Sequence, residues 1–325
     1  MDLTFYATLD ASTLKPYLQD LSYLLPLASW WRSDVQLKRP PRLPPQLTHV
    51  AIDCGSYTLA QHQVQPGFHF TAEQYVSWIR SLGPPVKWAV LPDWPCENVG
   101  ASEVKRRQVA TTNTAVDILS EYLDAAWYWC PVLQGQHVDD YLRHAIDIAA
   151  RVYDLRDMYA RRGQAEVFRV CVGSLCRRNS LAEIRSIVRS VVEVLPNLPL
   201  HLFGVKLDVI QQTGYLPDAV ASIDSAAWTG RFARQIDVSA DEQRRTCPRC
   251  RVVEPTRWRG VPARCSRCGG PLGVTQREYG LLISLPRYRA RLERALQARG
   301  RALDLRRDSL AGEDVQRQSR FPWAA

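Results

Sequence analysis

Eight apolar runs of strand length, spaced along the chain with helix-like stretches between them, constrain this protein more than any other feature. They lie near residues 3–8 (LTFYAT), 22–28 (SYLLPLA), 48–54 (THVAIDC), 87–92 (KWAVLP), 127–133 (WYWCPVL), 167–173 (VFRVCVG), 201–206 (HLFGVK) and 220–224 (VASID). The intervening EVKRRQVATTNTAVDILSEYLDAA and VDDYLRHAIDIAARVYDLRDMYARRG repeat apolar residues at helical spacing. A third such stretch, SLAEIRSIVRSVVEVL, opens with Ser180 three residues before Glu183, the pattern of a capping box. Eight strands alternating with helices are what a (β/α)8 barrel requires; an open doubly wound sheet gives the same alternation, and the count favours the barrel. With 325 residues, 46% of them hydrophobic, the chain can bury a large core, as one barrel-sized domain or two ordinary ones. The proline-rich 37–47 segment reads as a surface spacer.

Cysteine placement sets a second unit apart. Of nine cysteines, Cys247 and Cys250 form one CxxC and Cys265 and Cys268 another, with fourteen residues between them. Two such knuckles supply four thiolates to a tetrahedral Zn²⁺, a closed sphere that serves structure because no ligand position remains for water. Cys96, Cys130, Cys171 and Cys176 are expected to be small buried hydrophobes. Reduced thiols, no basic and apolar leader at the start, and no long uninterrupted apolar window make a cytoplasmic protein without a membrane partner the expectation. The formal charge of +9 comes largely from arginine and suits a polyanionic partner. Residues 278–307 read as a basic helix, either a solvated face or an element that tracks phosphates. Neither GxxxxGK[ST] nor GxGxxG is present, which argues against an ATPase or a dinucleotide enzyme, and the six histidines lack metal-ligand spacing.

The chemistry is expected where the strands end. In a barrel the C-terminal ends of the strands build the active site, and here they carry polar residues in the same relative place. Asp53 ends the third run, Asp93 follows the fourth in PDWPCE, Gln134 follows the fifth, Gly173 and Ser174 follow the sixth, Lys206 ends the seventh and Asp224 the eighth. One such residue is usually a cap or a loop anchor; five or six together point to a site. Two carboxylates facing one pocket suit glycosidic chemistry, one attacking or shielding an oxocarbenium-like C1′ and the other moving a proton on the leaving group. Lys206 is given no catalytic role. Trp94 and Tyr57 lie beside the carboxylates, placed for stacking on a base or for the core.

In order along the chain, FYATLD, AIDCGSYT, WAVLPDWPCE, PVLQGQHVDDYLRHA, VCVGSLCRR, LHLFGVK and SIDSAAWTGRFAR resemble the DNA 7-deazapurine transglycosylases of the DpdA type, DNA-acting relatives of the tRNA-guanine transglycosylases. The resemblance covers roughly residues 3–234 and implies a (β/α)8 barrel over residues 1–240; beyond it the paired CxxC mark a four-cysteine zinc-binding insertion over 241–277, and the basic run a C-terminal helix and tail over 278–325. It implies exchange of guanine in DNA for a free 7-deazaguanine base, of the kind that protects phage or bacterial DNA from restriction. Asp224 would be the nucleophile and Asp53 the general acid/base. Asp93, Gln134, Gly173, Ser174 and Tyr57 would line the base pocket, and Zn²⁺ would sit on Cys247, Cys250, Cys265 and Cys268. Two departures stand out: Cys54 replaces the serine that commonly follows the first aspartate, and the paired CxxC replaces the CxCxxC and distant histidine of the tRNA enzymes. The alternatives are a tRNA-guanine transglycosylase, a hydrolytic N-glycosylase using the same two carboxylates, and a non-catalytic zinc-containing nucleic-acid-binding protein.

Overall fold

The computed structural model describes residues 3–8, 22–26, 40, 43, 49–56, 70–84, 86–163, 168–212, 216–225, 244–247, 250, 252–255, 265–269, 276–298 and 303–304. It is a mixed α/β fold built on a parallel sheet. The strands are β1 (Leu3–Thr8), β2 (Ser22–Pro26), β3 (Val50–Asp53), β4 (Val86–Val90), β5 (Tyr128–Cys130), β6 (Val132–Leu133), β7 (Val170–Val172), β8 (Leu200–Leu202) and β9 (Val220–Ser225), hydrogen-bonded in the order β5-β4-β3-β2-β1-β9-β8-β7-β6. Every neighbouring pair on this path is parallel. The two strands at its ends are one run of the chain, 128–133, interrupted at Pro131. Proline has no N–H to give a ladder, so the run pairs with one neighbour before it and another after it. Leu91 N–H donates to Cys130 O at 3.0 Å, and Cys171 N–H to Pro131 O at 2.8 Å.

Helices α1 (Ala72–Arg80), α2 (Ala101–Tyr122), α3 (Val138–Arg161) and α4 (Leu181–Val194) return the chain from strand to strand, followed by the single turn α5 (Leu207–Ile210). Their apolar spacing decides which face turns inward. In α4, Leu181, Ile184, Ile187, Val188 and Val191 recur every three or four residues and all are buried. At about 1.5–3 kcal/mol for each large apolar side chain, such a stripe outweighs the weak helix propensity of its isoleucines and valines. Helix α6 (Gln276–Gln297) docks in the same way through Leu285, Tyr288, Leu292 and Leu296. The Tyr288 ring packs against Phe5 with centroids 5.5 Å apart, while Arg287 and Arg294 stay exposed. After α6 the chain forms β12 (Leu303–Asp304), parallel to the start of β1. An antiparallel pair, β10 (Arg244–Thr246) and β11 (Val253–Pro255), carries the first CxxC.

Several sequence expectations shift. The 201–206 run is a strand only to Leu202; Gly204 then turns the backbone at φ 66°, and Lys206 is the N-cap residue of α5 rather than a strand end. The box expected at Ser180 is half made. Ser180 Oγ accepts from Glu183 N–H at 3.3 Å, but the Glu183 carboxylate pairs with Arg178 instead of reaching back. A complete box forms at Thr71 and Gln74 of α1, which the sequence reading passed over. The basic helix spans 276–297, not 278–307, because the chain turns to make β12. The 37–47 spacer, residues 40 and 43 apart, lies outside the described residues.

Candidate active site

Parallel strands deliver their C-terminal ends to one edge, and the residues immediately after them meet there. Asp53 closes β3, Asp224 is the penultimate residue of β9, and Asp93, Gln134 and Gly173 follow β4, β6 and β7 within three residues. Asp53 is raised from 3.8 to about 7, by burial first and then by repulsion from Asp93 and Asp224, while the Gly55 N–H, 3.1 Å from its Oδ1, pulls the other way. The three carboxylates therefore share one electrostatic neighbourhood. A carboxyl poised near 7 can both give and take a proton at neutral pH.

Asp224 is buried with fixed partners. Thr8 Oγ1 donates to its Oδ2 at 2.9 Å, Gly204 N–H donates to its Oδ1 at 2.8 Å, and His201 Nε2 lies 3.4 Å from that same oxygen. Thr8 is available because β1 and β9 are hydrogen-bonded neighbours in a register that pairs Tyr6 with Asp224 and Ala7 with Ser225. The left-handed turn at Gly204 aims its N–H at the carboxylate, and the turn is tightly packed: a Cβ there would sit 3.0 Å from Cys176 Cβ and collide with its sulfur.

Asp93, Gln134 and Ser174 form a second buried group. Cys54 Sγ and Ser56 Oγ donate to Asp93 Oδ1 at 3.0 and 3.1 Å, and the Gln134 amide donates to Oδ2. Burial raises the Asp93 pKa and these three donors oppose it. The Gln134 carbonyl accepts from Ser174 Oγ at 2.5 Å, and Ser174 Oγ accepts from Cys96 N–H at 2.9 Å. Ser174 adopts φ 53°, a left-handed conformation that an L residue occupies at a cost, held here by those bonds. Behind Gln134, His144 Nδ1 accepts its N–H at 2.9 Å and Gln108 donates to its carbonyl at 2.7 Å. Burial takes His144 down to about 4, so the ring stays a neutral acceptor. Gly173 lies against this side chain: an added Cβ would stand 2.7 Å from Gln134 Cδ. The result is a carboxylate and an amide side by side beyond the strand ends, a pair whose donors and acceptors match a planar ring edge that offers both donors and an acceptor.

Cys247, Cys250, Cys265 and Cys268 converge, with all four sulfurs within 4.8 Å of one another. The cross-pairs Cys247–Cys268 and Cys250–Cys265 are 3.5 and 3.4 Å apart, and none of these cysteines forms a disulfide. Sulfurs at about 2.3 Å from a tetrahedral zinc stand about 3.8 Å apart, so the donor set fits a metal of that size. The knuckles are shaped by backbone bonds from Cys247 N–H to Val252 O at 2.8 Å and from Gly269 N–H to Cys265 O at 2.9 Å.

The family described as DpdA, DeoxyPurine in DNA protein A, matches residues 25–277. The chain belongs to the DpdA family. The match includes Asp53, Asp93, Gln134, Gly173, Ser174, Asp224 and all four clustered cysteines. No curated protein matches the chain. Among solved structures, the carboxyl transferase domain of Rhizobium etli pyruvate carboxylase with pyruvate and biocytin is similar at 11% identity and a TM-score of 0.30, and the same domain with 3-bromopyruvate at 11% and 0.28. Each similarity covers 69% of this chain and 39% of the other, so the chain spans about two-fifths of their length.

The structure thus brings Asp53, Asp93 and Asp224 to one edge and groups Gln134, Gly173 and Ser174 around Asp93. Tyr57 lies outside the described residues. Cys54 makes the polar contact that its replacement of serine had left open, its thiol kept neutral by burial and the nearby carboxylates. Cys96, Cys130 and Cys171 are buried, Cys176 partly so. Trp94 is held through its N–H to Thr111 Oγ1 at 3.0 Å. Sequence reading missed Thr8, Ser56, Gly204, His201 and Arg169. Thr8 ends a predicted strand as Asp224 does, and that shared position was the available signal. His201 and Arg169 lie inside strand runs and carried none. No described helix is long and apolar enough to cross a membrane.

Proposed function

We propose that this chain is a DNA-guanine transglycosylase that exchanges guanine in DNA for a free 7-deazaguanine base. The observation that carries the reading is the convergence of Asp53, Asp93 and Asp224 at one end of a parallel sheet in a chain of the DpdA family. The path β5 to β6 closes through the 128–133 run as an eight-stranded barrel over residues 1–240, with the zinc-binding insertion at 241–277 and the basic helix and tail at 278–325. Cys247, Cys250, Cys265 and Cys268 hold Zn²⁺, whose service in a closed four-thiolate site is structural.

The reaction runs in two displacements. An Asp224 carboxylate oxygen bonds C1′ of a deoxyguanosine as the C1′–N9 bond breaks, and the departing base takes a proton from Asp53. Asp53, now ionised, removes the N9 proton of the incoming deazaguanine, whose nitrogen bonds C1′ and releases Asp224. A carboxyl near 7 suits both directions of that transfer. The base enters by displacing the Gln134 amide from Asp93 Oδ2. Its N1–H and exocyclic amine go to the carboxylate, and its carbonyl to Gln134 and the Gly173–Ser174 turn. The target guanine must leave the stack to reach this pocket, and the arginine-rich surface holds the phosphates of the acceptor. Such exchange fits a role in shielding phage or bacterial DNA from restriction.

The test is incorporation of 7-cyano-7-deazaguanine into DNA and, in parallel, into tRNA, read by nucleoside mass spectrometry for wild type and Asp224→Asn. Incorporation into DNA alone, lost in the variant, is expected. Incorporation into tRNA alone would move the protein to the tRNA class, and full function with Asp224→Asn would overturn the catalytic reading.

A further inference from the structure

His201 on β8 is completely buried, and its Nε2 has no hydrogen-bond partner among the described residues. A buried N–H or lone pair without a partner costs free energy, so its direction is informative. It faces Asp224: Nε2 stands 3.4 Å from Oδ1, a gap that a small swing of either side chain closes.

The other ring nitrogen decides which proton His201 carries. His201 Nδ1 lies 2.9 Å from Ser222 Oγ, and the same Oγ accepts from Arg169 Nη1 at 2.8 Å. Arginine only donates, and Nδ1 is the buried Ser222 hydroxyl's other partner among the described residues, so the hydroxyl satisfies its own proton by donating to Nδ1, which accepts. The imidazole keeps its single proton on Nε2, directed at the carboxylate. An imidazolium would leave the Ser222 proton stranded in the core. Burial lowers the His201 pKa and Arg169 pushes the same way, against the pull of Asp224. Arg169 is itself pinned, with its guanidinium 5.8 Å from the Tyr6 ring and 5.6 Å from the Trp88 ring, and it donates to Tyr6 Oη at 3.4 Å.

We infer that His201 is a positioning residue for Asp224. Its tautomer is fixed by Arg169 through Ser222, and the Nε2–H joins the Gly204 N–H on Oδ1, so that the carboxylate cannot rotate and Oδ2 faces the sugar. Gly204 and Thr8 put one donor on each oxygen, and the Nε2–H adds the second donor on Oδ1 that fixes the carboxylate plane. This rests on the proposed role of Asp224 as nucleophile. His201 touches no part of the base pocket around Asp93 and Gln134, so its loss should act on turnover and not on base affinity.

The experiment compares His201→Leu with His201→Gln, whose amide nitrogen reaches the Nε2 position. For His201→Leu, kcat of base exchange into DNA should fall about tenfold to a hundredfold, the effect of one hydrogen bond to a charged group, while KM for 7-cyano-7-deazaguanine stays within about twofold. His201→Gln should keep most of the turnover. Alongside, ¹⁵N NMR of the histidine rings in wild type should find a neutral, Nε2-protonated His201 whose signals move in Asp224→Asn, and whose tautomer becomes mixed in Ser222→Ala. Equal losses in the Leu and Gln variants, an Nδ1–H tautomer or an imidazolium would overturn the inference. Should wild type exchange no base in DNA, the proposed function fails, and the NMR arm still decides the His201 arrangement. It also decides it if His201→Leu does not fold.

Discussion

Replacing Asp53 with asparagine should stabilise the protein above neutral pH and leave its stability unchanged in acid below the ordinary aspartate pKa. The folded-state pKa of Asp53 is about 7 against an ordinary 3.8. Between those values the folded protein holds a proton that the unfolded chain has released. The contribution of this group to stability is therefore fully present below the ordinary value and is lost as pH rises through about 7. Three units correspond to about 4 kcal/mol at about 1.36 kcal/mol each. Asp53 keeps some contact with solvent, which reduces the figure to about 2 kcal/mol. Asparagine copies the size of the protonated acid and keeps an acceptor for the Gly55 N–H without the charge that burial and the two other aspartates oppose. Urea unfolding of both proteins, followed by tryptophan fluorescence at about pH 3 and about pH 8.5, isolates the effect, because the remaining titrations are nearly common to both. The variant should gain about 2 kcal/mol at the higher pH and nothing at the lower, and it should lose base exchange, since an amide cannot carry the proton. A difference that does not change with pH, or a variant less stable at the higher pH, would refute the reasoning.

Gly173→Ala should raise Kd for the free base about tenfold or more while leaving the fold intact, because the new methyl drives the Gln134 amide out of the place proposed for reading the base. Isothermal titration with 7-cyano-7-deazaguanine measures it, and unchanged affinity would remove Gly173 from the pocket. Cys250→Ser, or stripping wild type with a strong chelator, should release bound metal and lower the unfolding midpoint by several degrees, since a metal held by four thiolates ties the two CxxC knuckles together. Metal analysis beside a thermal scan checks this; a protein that loses its metal with no change in midpoint would contradict a structural role.

The sequence by itself determined the alternation, the four-cysteine unit and most of the residues at the strand ends. These are local in kind. A buried strand shows as an apolar run, a metal knuckle as a CxxC, and the residue that leaves a parallel strand always reaches the same edge of the sheet. So Asp53, Asp93, Gln134, Gly173 and Asp224 were legible without coordinates. The interruption at Pro131 and the left-handed turn at Gly204 were present as residue types, yet their effect depended on which neighbours needed a hydrogen bond. Only the tertiary structure decided the partners. Thr8 reaches Asp224 across 216 positions of sequence, and Arg169 just before β7, His201 on β8 and Ser222 on β9 meet although Ser222 stands 53 positions from Arg169 and 21 from His201. Hydrogen bonds and burial act through distance, and distance between strands is set by the register of the sheet, which no single run of sequence contains. For that reason the aspartates could be named in advance, while the pKa of Asp53 and the groups that hold Asp224 could not.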